Sequence, residues 1–356
     1  MRNLIEIFSS RKAPSDVRGK SISYRPELDG IRGLAIIIIV FHHFDYVGLK
    51  YFGGRGFLAV DIFFALSGFL ITQILLSYRE KGIKLRTFYL RRVARLYPIL
   101  LASVIGLSYY LRNDYQFLDR APAIRSVLYI KNFWPWGGVF GPMWSLSAEE
   151  QFYVIFPIVL ILGIKFLKKR AFTALLILWL AVIWTIGYLA SGTEHNFNSD
   201  GVFNLVVFRP SIILVGSLIA LHKEWLEDKV ARAHLFVTAL FIALAYLTYT
   251  VQFPPLAGLA TGALILLISE KATSVSPIAK ALKIALAFKP LAWLGLLSYS
   301  IYIWHLPMIF FTTDHFMIHA ISPLWLFLVK LLAVSALSFY LFERPVLKLI
   351  AKARTK

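Results

Sequence analysis

The sequence has 356 residues, of which 58% are hydrophobic and only 16% charged, yet it carries 38 Lys and Arg against 19 Asp and Glu for a net charge of +19. With a mean hydropathy of +0.69, that pairing of excess cation with excess apolar residues excludes a soluble globular domain. The basic residues fall in short clusters between apolar runs, so the charge reads as the positive-inside bias of an integral membrane protein and no nucleic-acid partner is expected. The sequence contains no cysteine, which excludes disulfides, thiolate nucleophiles and Cys-ligated metal centres.

A span needs about 20 largely apolar residues to cross about 30 Å of hydrocarbon. By that measure the expected architecture is all-α, a polytopic membrane bundle of about ten transmembrane helices near 31–49, 57–78, 93–111, 144–166, 171–190, 203–221, 233–252, 254–269, 290–312 and 322–345. The seventh and eighth are separated only by Phe253-Pro254-Pro255, which predicts a tight hairpin, and the eighth is short. Lys and Arg concentrate on alternate connecting segments, which places both termini on the cytoplasmic side. Residues 1–24 read as a basic tail without the apolar stretch of a cleavable signal, residues 25–347 as the membrane domain, and 348–356 as a second basic tail.

In chain order, the first span holds Arg32, His42, His43 and Asp45; the second holds Asp61; the third opens with Arg91, Arg92 and Arg95. Residues 112–143 form a long connection carrying Trp134-Pro135-Trp136-Gly137-Gly138, which reads either as an interfacial aromatic anchor or as a lid or acceptor contact. The fourth span opens with Ser145, Ser147, Glu149 and Glu150; the sixth holds Arg209; the ninth holds Tyr302 and His305; the last closes on Glu343-Arg344-Pro345, a helix stop with a surface ion pair in its blandest reading. Ionisable groups are expensive inside a bilayer unless they face a cavity or a partner, so each is a functional candidate as well as a candidate interhelical bond.

Helical geometry separates them. From Arg32 to His43 is about 1100° of rotation and about 16 Å of rise, so the two share a face, with His42 about 80° and Asp45 about 140° off it. His43, Asp61, Glu149, Glu150, Arg209 and His305 all lie within about 11 Å of the outer ends of their spans, which suggests one solvated, outward-opening cavity. Arg92 and Arg95 are i, i+3 neighbours at the inner end, in a form that suits phosphate or a positive-inside anchor.

These residues resemble the acyltransferase-3 family of bacterial membrane acyltransferases. Arg32 with His43 resembles its Arg-ten residues-His opening; Asp61 through Thr72 resembles its second-helix motif; Arg92, Arg95 and Pro98 its Arg-x-x-Arg element. Trp144 through Tyr153, Ser298 through His305, and Glu343-Arg344-Pro345 are similar to its fourth, ninth and last motifs. The sequence stops soon after the tenth span, so it resembles members without an appended esterase-like domain.

The resemblance implies transfer of an acyl group, most often acetyl, from cytoplasmic acyl-CoA (acetyl-CoA) to a hydroxyl of an extracytoplasmic or lipid-linked glycan, in the cytoplasmic membrane and without a metal. On that reading Arg32, Arg92 and Arg95 hold the donor phosphates. His43 is the general base, Asp61 or Glu149 steadies its imidazolium with Glu150 as runner-up, and His305 and Tyr302 are candidates for oxyanion stabilisation or acceptor contact. Trp144, Ser147, Tyr153 and Arg209 complete the expected substrate-binding set. Homo-oligomer formation is left open. The rival class is a transporter or flippase, which would show inverted repeats with broken helices.

Overall fold

The computed structural model describes residues 24–45, 56–110, 120–134, 138–190, 204–312 and 324–346. Residues 1–23, the whole of 347–356, and parts of the long connection, Pro135 to Gly137 included, lie outside the described residues. Everything described is helix, turn or irregular chain, with no strand among the described residues.

The principal helices are α1 (Pro26–Asp45), α2 (Gly56–Glu80) and α3 (Leu85–Tyr110), followed by the short α4 (Ala121–Val127). Then come α5 (Met143–Phe166), α6 (Lys169–Ala190), α7 (Ile212–Leu221) and α8 (Lys223–Arg232). Next are α9 (His234–Val251), α10 (Pro254–Leu267), α11 (Glu270–Val275) and α12 (Pro277–Leu286). The chain ends on α13 (Lys289–Thr312) and α14 (Leu324–Ser338).

Helix stands at each of the ten expected positions, but the bilayer criterion is met less often. Among the described residues, five helical segments are long and apolar enough to cross a membrane, or up to seven if each of two bent pairs is one span. The shortfall has a physical cause. α1 and α3 spend part of their length on charges, and α10 has 14 residues, about 21 Å of rise. With several apolar helices exposing wide hydrophobic faces, as on α6 and α9, the architecture is that of a multi-pass membrane protein.

Three departures from the sequence-based spans position the site. α3 begins at Leu85 rather than near 93, which carries Arg92 and Arg95 two to three turns into the helix. The sixth span is broken: a π-helical stretch, Asn204–Phe208, precedes a turn at Arg209-Pro210-Ser211 before α7. Proline disfavours helical geometry at the residue before it, so Arg209 sits in the break instead of within a continuous helix. α7 then bends by 79° into α8, and α12 bends by 57° into α13. The expected hairpin forms at α9 and α10, with Gln252 in the left-handed region at φ 56 and two prolines opening α10, where the first helical turn needs no N–H.

The core is built on close backbone approaches. α1 packs along α13, with the Asp29 carbonyl against Gly295 near one end. α2 packs along α7 through Gly68, which faces the Ile213 carbonyl, and Gly216, which faces that of Ala65. A Cβ at these glycines would overlap backbone, so their small size sets the interhelical distance.

The described part of the 112–143 connection is neither a surface lid nor a simple interfacial anchor. Residues 129–132 fold into the bundle, where Lys131 and Asn132 have no exposed surface. Asn132 and Gln151 of α5 exchange side-chain hydrogen bonds at 2.9 Å in both directions, and Gln151 also donates to the Tyr129 carbonyl at 2.7 Å. Trp134 alone among the described aromatic residues of the expected Trp-Pro-Trp cluster stays exposed, with the Arg125 guanidinium 4.8 Å from its ring centre.

Candidate active site

α1 and α13 run in the same direction, with Asp29 beside Gly295 at one end and His43 beside His305 at the other. The ring centres of His43 and His305 lie 4.8 Å apart, and His42 sits 5.1 Å from His43. His43 Nδ1 is 2.9 Å from the Ile39 carbonyl, and His305 Nδ1 is 2.7 Å from that of Tyr302. A carbonyl can only accept, so in each ring Nδ1 carries the proton and Nε2 presents a bare lone pair. That is the protonation state of a base. It also removes His305 from the expected oxyanion donors, since its remaining ring nitrogen has no proton to give.

Tyr302 is committed too. Its hydroxyl donates to the Pro142 carbonyl at 2.6 Å and lies 2.5 Å from Ser145 Oγ, which itself reaches Pro142 at 3.3 Å. This knot ties the start of α5 to α13 one turn from the imidazoles.

Asp61, expected beside His43, is instead the counter-ion of Arg209. Arg209 Nη1 reaches its two carboxylate oxygens at 3.0 and 2.8 Å, and neither side chain has exposed surface. The guanidinium carbon also lies 4.9 Å from the Phe57 ring centre, and Phe57 lies 6.0 Å from His42. The pair therefore stands behind the imidazoles, supporting the wall they rest on. Trp144 belongs to the same wall, buried with ring centres 6.3 Å from Phe57 and 6.1 Å from Phe64.

Glu149 and Glu150 are divided between two partners. Glu149 accepts from the Tyr153 hydroxyl at 2.7 Å and faces a cavity. Glu150 is bound by Arg92 at 2.7 to 3.1 Å, while the Arg92 guanidinium stacks 3.1 Å from the Tyr153 ring centre. Arg92, expected among the donor-phosphate ligands, is thus occupied by Glu150. Ser147 is fully buried, donating to the Met143 carbonyl at 2.8 Å and accepting from the Lys131 amide at 3.1 Å. It is a structural hydroxyl with no lone-standing nucleophilic geometry.

The cavity holds about 70 Å³, room for a few waters and well short of the roughly 300 Å³ at which ligand pockets begin. Arg32 and Ile39 of α1 line it, with Phe64 and Ser67 of α2 across from them. Ser145 and Glu149 of α5 and Ser298 and Tyr302 of α13 complete its polar side. Its lining extends from Arg32 to Tyr302 and includes neither His43 nor His305.

Arg32 lies 3.8 Å from Asp29. Arg95 has no hydrogen bond or ion pair among the described residues, and its nearest charges are Arg32, Glu343, Arg92 and Asp29. Glu343 is the residue that sequence reasoning underrated. Instead of a surface ion pair it is 1% exposed, in a π-helical turn (Phe339–Glu343), and accepts a short hydrogen bond from Ser300. Its appearance in a motif beside Arg-Pro at a helix end was the available signal. The chemistry assembled here is imidazole, carboxylate, guanidinium and hydroxyl; among the described residues no three His, Asp or Glu side chains are placed to hold a metal ion.

Comparison with known proteins falls on the same residues. An acyltransferase domain family matches residues 25–343. The peptidoglycan O-acetyltransferase OatA of Listeria monocytogenes is 29% identical over 92% of this chain and 56% of its own length. The putative peptidoglycan O-acetyltransferase YrhL of Bacillus subtilis is 29% identical over 91% of this chain and 55% of its own. The O-acetyltransferase OatA of Staphylococcus aureus is 28% identical over 91% and 57%. The chain therefore spans just over half the length of these curated relatives. No solved structure matches it.

Proposed function

The chain belongs to the acyltransferase domain family, and from that premise we propose that it is a membrane O-acyltransferase moving an acetyl group from acetyl-CoA to a hydroxyl of a cell-envelope glycan. The observation that supports the reading is the polar cavity lined by Arg32, Glu149 and Tyr302, with His43 further along the same helix as Arg32, its Nδ1 on the Ile39 carbonyl and its ring 4.8 Å from that of His305. Two longer relatives are named as a peptidoglycan O-acetyltransferase and a putative one, which makes a muropeptide hydroxyl the first acceptor to test.

In this mechanism Arg32 and Arg95 hold the donor phosphates as charge-assisted donors. The pantetheine arm follows α1 for about 16 Å, the rise from Arg32 to His43. The acceptor approaches from the His43 end. His43 Nε2 takes its hydroxyl proton as the oxygen attacks the thioester carbonyl, and the thiolate leaves with the C–S electron pair and recovers that proton. Glu149, the carboxylate facing the cavity, contributes negative charge near the reacting atoms, and the Asp61–Arg209 pair, Trp144 and Tyr153 shape the walls. Ten crossings with both termini cytoplasmic, in the cytoplasmic membrane, put the coenzyme and the glycan on opposite sides.

The test is a purified full chain in lipid nanodiscs, given radiolabelled acetyl-CoA and purified muropeptides. Label appearing on muropeptide, and lost in His43→Ala at preserved thermal stability, supports the reading. Near-normal turnover by His43→Ala overturns the base assignment. A transporter reading shares the ionisable interior and is favoured by the two bent helix pairs; counterflow of glycan in liposomes without acetyl-CoA would establish it instead.

A further inference from the structure

Among the described residues, no carboxylate is bonded to the proposed base. Asp61 is bound to Arg209, Glu150 to Arg92, and Glu149 to Tyr153. What faces His43 is a second imidazole, and that imidazole is unusual. His305 has no exposed surface, its Nδ1–H is spent on the Tyr302 carbonyl, and its Nε2 has no hydrogen-bond partner among the described residues. A buried acceptor left bare costs stability, so a persistent one points to a donor that arrives during function.

We propose that His305 Nε2 is the proton partner of His43: once His43 Nε2 has taken the acceptor hydroxyl's proton, that N–H is shared between the departing acceptor oxygen and His305 Nε2, while the Ile39 carbonyl holds Nδ1, where a carboxylate stands in other acyl-transfer sites. This inference rests on His43 being the base. The balance is simple. The acceptor O–H bond breaks, its proton forms an N–H bond on His43 Nε2, and the oxygen bonds the acyl carbon as the C–S bond breaks toward sulfur. While the proton resides on the imidazole pair, His43 Nε2–H donates to His305 Nε2; it then passes to the thiolate. Neutral His305 adds no net charge to the site, so the pair stabilises one transient proton without holding a permanent counter-ion in the membrane.

The surroundings suit a single shared proton. His42 at 5.1 Å, on the same helix, and His305 itself oppose a second positive charge near His43. From α2 the facing group is Phe57, behind which Arg209 and Asp61 cancel one another. From α13 it is Tyr302, whose ring centre is 5.4 Å from that of His305 and whose hydroxyl is engaged by Pro142 and Ser145.

The experiment is histidine-selective ¹⁵N NMR of the full chain in nanodiscs, with the His43 signals assigned through His43→Gln, together with acetyl-CoA turnover. His305→Phe keeps a ring but removes the acceptor; His305→Gln loses the ring but can bring its amide oxygen to the position of Nε2. The expected result is a His43 titration midpoint lower by about one pH unit in His305→Phe, a tenfold weaker proton affinity, with recovery in His305→Gln. The kcat should fall at least tenfold in the Phe variant with KM for acetyl-CoA little changed. Equal effects of Phe and Gln, or no movement of the His43 midpoint, would overturn the inference. If the variants do not fold, the unaltered protein decides: a coupled first protonation seen at both imidazoles supports a shared proton, and independent titration refutes it. Because the NMR readout needs no acceptor, a failure of the acyl-transfer reading shows separately, as absent turnover in the unaltered protein.

Discussion

Arg92 of α3 donates from Nε at 2.9 Å and from Nη2 at 2.7 Å to one carboxylate oxygen of Glu150 on α5. Each residue is seven positions into its helix, and the helices run antiparallel, with Tyr89 bonded to the Val154 carbonyl one turn away. Two charges expected at opposite faces of the membrane thus meet about 10 Å from either helix start. Arg92 and Glu150 are only partly exposed, so truncating one leaves the other as an uncompensated charge. A double-mutant cycle with Arg92→Ala and Glu150→Ala should give a coupling of about 1–3 kcal/mol in thermal stability, and additive losses would show that the pair does not interact in solution.

The Asp61–Arg209 pair makes a sharper demand, because neither side chain has exposed surface. Asp61→Ala or Arg209→Ala should each cost about 3–5 kcal/mol, whereas Asp61→Leu with Arg209→Met should cost less than either single change. Chemical or thermal unfolding in detergent reads the difference. A double variant as unstable as the sum of the singles would mean that the two residues contribute independently and not as an ion pair.

Arg95 is a guanidinium with no ion pair among the described residues, within electrostatic reach of Arg32. If it binds donor phosphate, Arg95→Ala should raise the KM for acetyl-CoA about tenfold or more, the loss expected for one charge-assisted hydrogen bond, while kcat changes little. The same variant assayed with acetyl-pantetheine, which lacks the nucleotide phosphates, should behave like the unaltered protein. An equal loss with both donors would move Arg95 from phosphate binding to structure.

Close packing of α2 on α7 depends on Gly68 and Gly216, each against a carbonyl of the other helix. Gly68→Val or Gly216→Val should lower the yield of folded protein, since backbone cannot move aside as a flexible side chain can; overpacking of this kind costs about 1–3 kcal/mol or more. Gly106, with nothing near its missing Cβ, supplies the control: Gly106→Ala should be neutral or slightly stabilising, as expected for a helix interior. Size-exclusion profiles of the three variants check this.

The helical positions were legible because a bilayer imposes length and hydropathy on every crossing, and helix occurs at each expected stretch. The criterion blurred where function intrudes. α1 and α3 are too charged, and the sixth stretch too broken, to pass as simple spans. The phase relation of Arg32 and His43 followed from helix geometry within one element, as did the hairpin at Phe253-Pro254-Pro255.

Pairings across helices followed a different rule. Composition and spacing named Asp61, Glu149, Glu150, Arg92, Arg209 and His305 as expensive residues needing partners, and family resemblance supplied roles, but neither says which charge meets which. Spacing fixes direction only within one rigid helix. The choice among partners depends on interhelical distance and rotation, which the glycine contacts of α1 with α13 and of α2 with α7 set. That packing gave Asp61 to Arg209 and Glu150 to Arg92, drew Glu343 into the interior, and set the rings of His43 and His305 4.8 Å apart.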